Sequence, residues 1–407
     1  MLISPKLFFI LFVPFFLLFY SEPVKLGAFP VSQLWKIPLA IYMLYAVFQH
    51  RRKESPLWSQ IQYWISLKCL FNAGYFSDFA NNLQYGIKFL FLPLIYNFIA
   101  SKLHGVRLLE TILLTICQYF VLTNIPMFLG LKPLSSGHDY GSFVAYSGVF
   151  QNQHAMSVIM GICIVVILYF FKQGRFESYF SKGFNLVLLG IAAYSMYLGF
   201  ARTGWLMCVL AIIILFWPRN LSVKQFVGIA AVSSLLVGGF AYMMATNELF
   251  YDRVVGNNIT THEKMNIDSG RSEFAAAALD RYLHGSLFEQ LCGLSTADEM
   301  EAIYQATGNR VGAHNGFVDM LARNGIVGLI LMLFFLMSLF VFIRRRRQSQ
   351  LYNLAMALWM MNLSFQVTQG GTMFHSDLLY ALTFCLLDTD HQIETDDSIF
   401  KRGVTDN

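Results

Sequence analysis

Charge is scarce in this chain. Only 13% of its 407 residues are Asp, Glu, Lys or Arg, about half the share found in an ordinary soluble domain. With 56% hydrophobic residues beside it, that shortage excludes a large water-facing surface and points to a polytopic membrane protein. The six cysteines have no paired spacing, and five of them (all but Cys292) lie in or beside apolar runs. That excludes a disulfide framework and a zinc site. No internal repeat and no low-complexity tract is present, which sets aside solenoids and arrays. No small-x-small cleavage site follows the first apolar run, so that run reads as a span and not a signal peptide. The net charge of +5 is carried largely by short loops; it is no nucleic-acid footprint.

What the chain does have is a succession of apolar segments. They fall at roughly 7–21, 30–48, 58–75, 84–100, 108–131, 155–171, 184–201, 203–217, 225–244, 326–343, 351–369 and 376–388. The third is interrupted by Gln60, Gln62, Lys68 and Asn72, and the eighth and twelfth are short. The expected fold is all-α: a multi-pass protein of about 12 transmembrane helices with one long, partly helical outer loop. Residues 1–244 would hold the first nine spans, 245–325 the outer (periplasmic) loop, and 326–388 the last three. Residues 389–407 form a tail whose acidic-polar composition predicts disorder.

Basic residues set the expected orientation. Seventeen lie on one side: Lys6, Arg51, Arg52, Lys53, Lys102, Arg107, Lys172, Arg175, Lys182, Arg219, Lys224, Arg344 to Arg347, Lys401 and Arg402. Three, Lys25, Lys132 and Arg202, lie in the short loops opposite. Positive charge marks the cytoplasmic side, which puts both termini in the cytoplasm and residues 245–325 outside. That loop is acidic between Ala245 and Val311, with ten carboxylates against five basic groups. Its Asp268-Ser269-Gly270-Arg271-Ser272-Glu273 run predicts a helix start, capped by Asp268 or Ser269, with Arg271 near the free N–H groups that favour an anion.

The densest chemistry lies between Gly312 and Gly328. Ile326 to Ile343 is an apolar run of eighteen residues, about 27 Å as a helix, enough to cross the hydrocarbon core. Arg344 to Arg347 close it, so His314 belongs at the outer face. Asn315 is placed to cap the following helix and to orient His314. Asp319 and Arg323 share a helical face and can pair. Residues 316–324 read as an interfacial helix broken near Gly325.

His314, Asn315, Gly325 and Gly328, with a long outer loop before them and a span after, resemble the signature of the O-antigen ligase and O-antigen polymerase superfamily. Gly148, Phe150 and Asn152 resemble a second element of that superfamily, with His154 where asparagine is usual. The Arg202 to Trp205 turn and the Gly270-Arg271 pair are similar to two more. The resemblance covers roughly residues 145–345. It implies a bacterial inner-membrane glycosyltransferase that inverts configuration and uses neither metal nor cofactor. The implied donor is a glycan on undecaprenyl diphosphate. The implied acceptor is lipid A–core for a ligase, or a second lipid-linked glycan for a polymerase, with membrane lipids as the only other partners and no nucleic acid.

The residue types fit that chemistry. Guanidinium forks at Arg202 and Arg271 suit the growing charge on a departing diphosphate. A neutral imidazole at His314 suits removal of a proton from an attacking hydroxyl. No Asp-x-Asp pair or His/Cys cluster on the outer side points to a metal. Ordinary readings stand beside these: Arg202 as a snorkelling residue, Arg271 as one half of a loop ion pair, Arg323 as the partner of Asp319. Residues 132–154 hold Lys132 but no arginine, whereas the superfamily's polymerases tend to carry a second arginine-bearing outer loop. That favours the ligase and leaves the polymerase open. A transporter or flippase is the rival of another class; it would need ionisable groups at mid-span, and the spans here are mostly clean.

Overall fold

The computed structural model describes residues 25–26, 29–30, 36–49, 55–72, 78–103, 105–128, 136–139, 144–150, 152–199, 201–217, 242, 246, 271–371 and 373–405. The expected spans at 7–21 and 225–244 and the Asp268-Ser269 cap lie outside the described residues. The chain is mostly helical, as its composition suggests. In order come α1 (Lys36–Gln49), α2 (Leu57–Lys68), α3 (Phe79–Lys102), α4 (Val106–Leu122), α5 (Ile125–Phe128), α6 (Gln153–Lys172), α7 (Tyr179–Gly199) and α8 (Arg202–Phe216). After them come α9 (Arg271–Leu283), α10 (Leu287–Cys292), α11 (Thr296–Thr307), α12 (Gly316–Arg345), α13 (Tyr352–Thr368) and α14 (Phe374–Thr405).

Among the described residues, strand is confined to two small antiparallel hairpins, β1 (Lys25–Leu26) with β2 (Phe29–Pro30), and β3 (Ser136–Asp139) with β4 (Val144–Gly148). The second hairpin occupies what the sequence presents as an irregular loop.

Among the described residues, three helices are long and apolar enough to cross a membrane: Asn81–Lys102, Gln153–Lys172 and Gly316–Arg345. Pro38–Val47 and Arg202–Phe216 are shorter apolar helices. The spans differ in what surrounds them. α6 is apolar on every face and buried along nearly its whole length, the pattern of a central helix. α12 buries Met332, Phe335, Leu336 and Leu339 on one stripe and exposes Ile330, Phe334 and Met337 on the other. Towards one end of the bundle Trp58 of α2 is fully enclosed, its ring centroid 4.8 Å from Tyr96, 5.9 Å from Phe384 and 6.0 Å from Phe342. Edge-to-face pairs of this kind contribute about 0.5–1.5 kcal/mol each beyond burial.

Three hydrogen bonds fix how the helices run. Asn353, at the start of α13, donates to the Leu215 and Trp217 carbonyls at the end of α8, at 3.2 and 2.9 Å. Lys172, at the end of α6, donates to the same Leu215 carbonyl at 2.7 Å. Thus α8 is antiparallel to α13 and parallel to α6. The starts of α6 and α8 and the end of α13 share one end of the bundle. The opposite end holds Lys172, the Arg175–Glu110 pair at 2.8 Å and the Arg346–Asp388 pair.

Helices α9 to α11 form a layer over the first end. It has its own small core of Ala278, Ile303, Ala313 and Ala322, flanked by Phe274 and Val318. The layer rests on the α2–α3 connection. Lys68 Nζ donates to the Cys292 carbonyl at 2.7 Å, Asn72 donates to the Arg323 carbonyl at 3.3 Å, and Asp78 accepts from the Ala297 amide at 3.1 Å.

One expectation is corrected. The tail does not leave regular structure after residue 388: α14 continues to Thr405. No proline or glycine interrupts it before Gly403, so propensity favours continuation.

Candidate functional site

α12 supplies the pivot of the site. Asn315 caps it, its side-chain oxygen accepting from the Phe317 and Val318 amides at 3.0 and 3.2 Å. That bonding satisfies two of the orphan donors of the first turn. Ten residues on, Gly325 leaves helical geometry (φ 66°, ψ −174°) and divides α12 into a short outer piece and a long apolar one. The break needs glycine twice over: the backbone is left-handed, and a Cβ there would lie 2.2 Å from the Leu291 carbonyl oxygen.

His314, just before the cap, has φ 53°, the one positive φ of a non-glycine residue among the described residues. Such a conformation persists only where its surroundings hold it. Here the neighbours on both sides are fixed. Asn315 is tied to the helix it caps. The Ala313 amide donates to Asp319 Oδ1 at 3.0 Å and, more weakly, to Glu299 Oε1 at 3.4 Å. Arg323 then holds both carboxylates: its Nε binds Glu299 Oε2 and its Nη2 lies 3.7 Å from Asp319 Oδ1. Its guanidinium also stands 5.2 Å from the Tyr85 ring centroid. The Asp319–Arg323 pair expected from spacing therefore exists, but the closer partner of Arg323 is Glu299. Asp319 and Arg323 lie behind the His314 loop and support it.

Arg271 opens α9. Its Nη1 donates to the Thr368 carbonyl, at the end of α13, at 2.9 Å. Beside that carbonyl, the Gln369 amide stands between Arg271 and His154. With its oxygen turned towards them, it accepts from Arg271 Nη2 at 2.8 Å and from His154 Nδ1 at 3.2 Å. Phe274, three residues into α9 and on the same face as Arg271, brings its ring to 6.0 Å from the His314 ring. Asn152 caps α6, accepting from the Ala155 amide at 2.8 Å. His154 takes no part in that cap; it reaches across to Gln369.

Burial lowers the basicity of His314, the positive charge of Arg271 lowers it further, and Arg323 adds to this; Glu299 pulls the other way. The result is an imidazole held below its ordinary value and therefore neutral at pH 7. A neutral ring can accept a proton, and the Arg271 charge is near enough to depress it.

Arg202 opens α8, directly after the short junction that follows α7. Trp205 Nε1 donates to the Met196 carbonyl at 3.1 Å and ties the two helices. A Cβ on Gly204 would lie 2.5 Å from Ser157 Cβ, so the first turns of α8 and α6 are in contact. The antiparallel α8–α13 pairing puts Arg202 at the end of the bundle where Thr368 receives Arg271. Two further contacts close this end: a Cβ on Gly316 would meet Gln366 Oε1 at 2.6 Å and the Gly370 Cα at 2.8 Å.

The structure thus brings Arg271 near His314, sets Arg202 at the same end, and places Asn315, Asp319 and Arg323 around the His314 backbone. Glu299, Phe274 and Gln369 are the neighbours that sequence reasoning did not single out. Gln369 had one local signal, its place before the Gly370-Gly371 turn that follows a span. Glu299 had none.

No curated protein matches the chain. Residues 184–333 match the family model described as O-antigen ligase, a stretch that contains Arg202, Arg271, His314, Asn315, Asp319 and Arg323 alike. Through that stretch the chain is similar to the O-antigen ligase family.

Proposed function

We propose that the protein is an O-antigen ligase: it transfers a glycan from undecaprenyl diphosphate to lipid A–core at the outer face of the bacterial inner membrane. The observation that carries this reading is the pairing of a neutral His314 with the Arg271 guanidinium at the end of the bundle where α8 begins with Arg202.

In this mechanism the acceptor hydroxyl loses its proton to the His314 imidazole as its oxygen attacks the anomeric carbon. The new C–O bond forms on the face opposite the diphosphate, the old C–O bond breaks, and configuration inverts. Undecaprenyl diphosphate leaves with the bonding electron pair, and its growing charge is met by Arg271 and Arg202. A positioned base contributes about 10²–10⁴-fold in rate, and an oxyanion-stabilising donor on the order of 10²–10³-fold. Two fixed cations supply the charge stabilisation that a metal gives in other transferases, so the reaction is expected to survive EDTA. Both termini lie in the cytoplasm in this reading, and about 12 helices cross the membrane.

The test uses a strain lacking this protein that carries an empty vector, the wild type or His314→Ala, with membrane levels matched by blot. If the ligase reading holds, the empty vector and His314→Ala both leave long chains on the polyprenyl carrier and lipid A–core bare. Single repeat units on lipid A–core would make the protein a polymerase using the same donor. Normal glycans with His314→Ala would refute the catalytic assignment.

A further inference from the structure

At the end of the bundle opposite to His314, α2 and α12 part to leave a cavity of about 730 Å³. Its floor is the enclosed Trp58, and its outer lip is formed by Phe334, Met337 and Val341, which are 61%, 58% and 40% exposed. Along α12 these residues and Arg345 span eleven positions, roughly 16 Å of rise, the reach of most of a fatty acyl chain. The groove is therefore long, lined mostly by apolar side chains and open along its Phe334–Val341 lip.

Its mouth carries charge. Arg346 and Asp388 both line it, but they answer each other: Arg346 Nε donates to Asp388 Oδ1 at 3.1 Å, and the Tyr96 hydroxyl donates to Asp388 Oδ2 at 3.2 Å. Arg346 also packs over the Phe342 ring, 3.7 Å from its centroid. Arg345 lines the same mouth, is exposed, and has no ion pair among the described residues. The mouth thus has one cation more than it has anions, directly above an apolar slot.

We propose that this groove binds an anionic phospholipid, with one acyl chain between α2 and α12 and the phosphate on Arg345. A basic rim over an apolar cleft between membrane helices is the arrangement that selects anionic headgroups from zwitterionic ones. The site is separate from the one proposed for transfer, since the continuous part of α12 after the Gly325 break runs twenty residues to Arg345, roughly 30 Å of rise. It does not depend on the transfer reaction.

The experiment is native mass spectrometry of the full-length protein, titrated with phosphatidylglycerol or phosphatidylethanolamine of the same acyl chains. The wild type is expected to bind phosphatidylglycerol about tenfold more tightly. Arg345→Gln should abolish the preference, Arg345→Lys should keep most of it, and Arg344→Gln should leave it intact. Val341→Trp fills the groove while leaving every charge in place, and it should weaken both lipids. Equal binding of the two lipids by the wild type, or an unchanged preference in Arg345→Gln, would overturn the proposal. So would undiminished binding in Val341→Trp. Displacement of phosphatidylglycerol by undecaprenyl phosphate at lower concentrations than phosphatidylglycerol itself requires would also overturn it, because the groove would then hold a polyprenyl chain.

Discussion

The Ala313 amide points at the Asp319 carboxylate, 3.0 Å away, one residue before the left-handed His314. That bond is the near end of a brace that runs through Asp319 and Glu299 to Arg323. Burial, with Glu299 beside it, raises the Asp319 carboxyl to about 8; Asp319→Asn keeps an acceptor for the amide and loses the titratable carboxyl facing Arg323, and Asp319→Ala loses both. Glycan transfer by membranes with matched protein levels should fall in the order wild type, Asn, Ala. The Ala variant should also lose on the order of 1 kcal/mol of stability, because the Ala313 amide then keeps only its longer, 3.4 Å bond to Glu299. Equal transfer by all three would mean that His314 needs no brace.

Breaking the ion pair from the other side should cost more. Glu299 is fully enclosed, and Arg323 is its charge partner. Arg323→Met leaves that carboxylate buried and uncompensated, a change typically worth about 3–5 kcal/mol. Adding Glu299→Leu to Arg323→Met should restore part of the loss. Thermal melts of the two variants in one detergent decide the matter. A double variant no more stable than the single one would show that the pair contributes through geometry and not charge.

The pH dependence of transfer should report His314. Its conjugate acid is held below the ordinary imidazole value, first by burial and then by Arg271, so the active neutral form persists on the acid side of about pH 6.5. Activity should therefore stay level down to that pH and fall only as pH drops through the lowered value. Phe274→Ala opens the ring face to water and removes part of the dominant burial effect. Its acid limb should move to higher pH, towards that of a free imidazole. The same sign holds for stability: the unfolded chain binds the proton more readily, so this contribution is complete above about pH 6.5 and lost below it. An acid limb unmoved in Phe274→Ala would remove His314 from the role of base.

Gly325 offers a backbone test. Gly325→Ala must place a methyl group 2.2 Å from the Leu291 carbonyl oxygen in a left-handed backbone. Gly371 has φ 81° but open space around its Cβ position. Gly371→Ala should cost about 1–2 kcal/mol, the strain alone. Gly325→Ala should cost clearly more and lower the amount of protein recovered from membranes. Comparable melting temperatures for the two would mean that α10 yields freely at this contact.

Much of this arrangement is legible in the sequence where the interaction is local. Asn315 as a cap and Gly325 as a break follow from the polar and apolar pattern across ten residues. Arg202 and Arg271 stand at helix starts that short motifs can mark. What the sequence hides is partnership across distance. Arg323 has a visible partner four residues away, yet its closer one, Glu299, lies on another helix twenty-four residues back. Gln369 and Arg271 are ninety-eight residues apart and meet only because α13 ends where α9 begins. His154 departs from the superfamily's usual asparagine, and its contact with Gln369 is a tertiary fact that no spacing carries. The extension of α14 is hidden for another reason: charged, polar composition describes a solvated helix as well as a disordered tail.

The three bonds from Lys68, Asn72 and Asp78 to Cys292, Arg323 and Ala297 bear on where this protein can be cut. Residues 184–333, excised as a unit, would carry every group proposed to touch substrate. They would also carry two carbonyls and an amide whose partners stayed behind at the end of α2 and in the segment that joins it to α3. The minimal working piece of this protein is therefore not a contiguous segment. Two separately synthesised fragments, one holding α2 and α3 and the other everything from α6 onward, would have to find each other in the membrane before the α9–α11 layer had a floor.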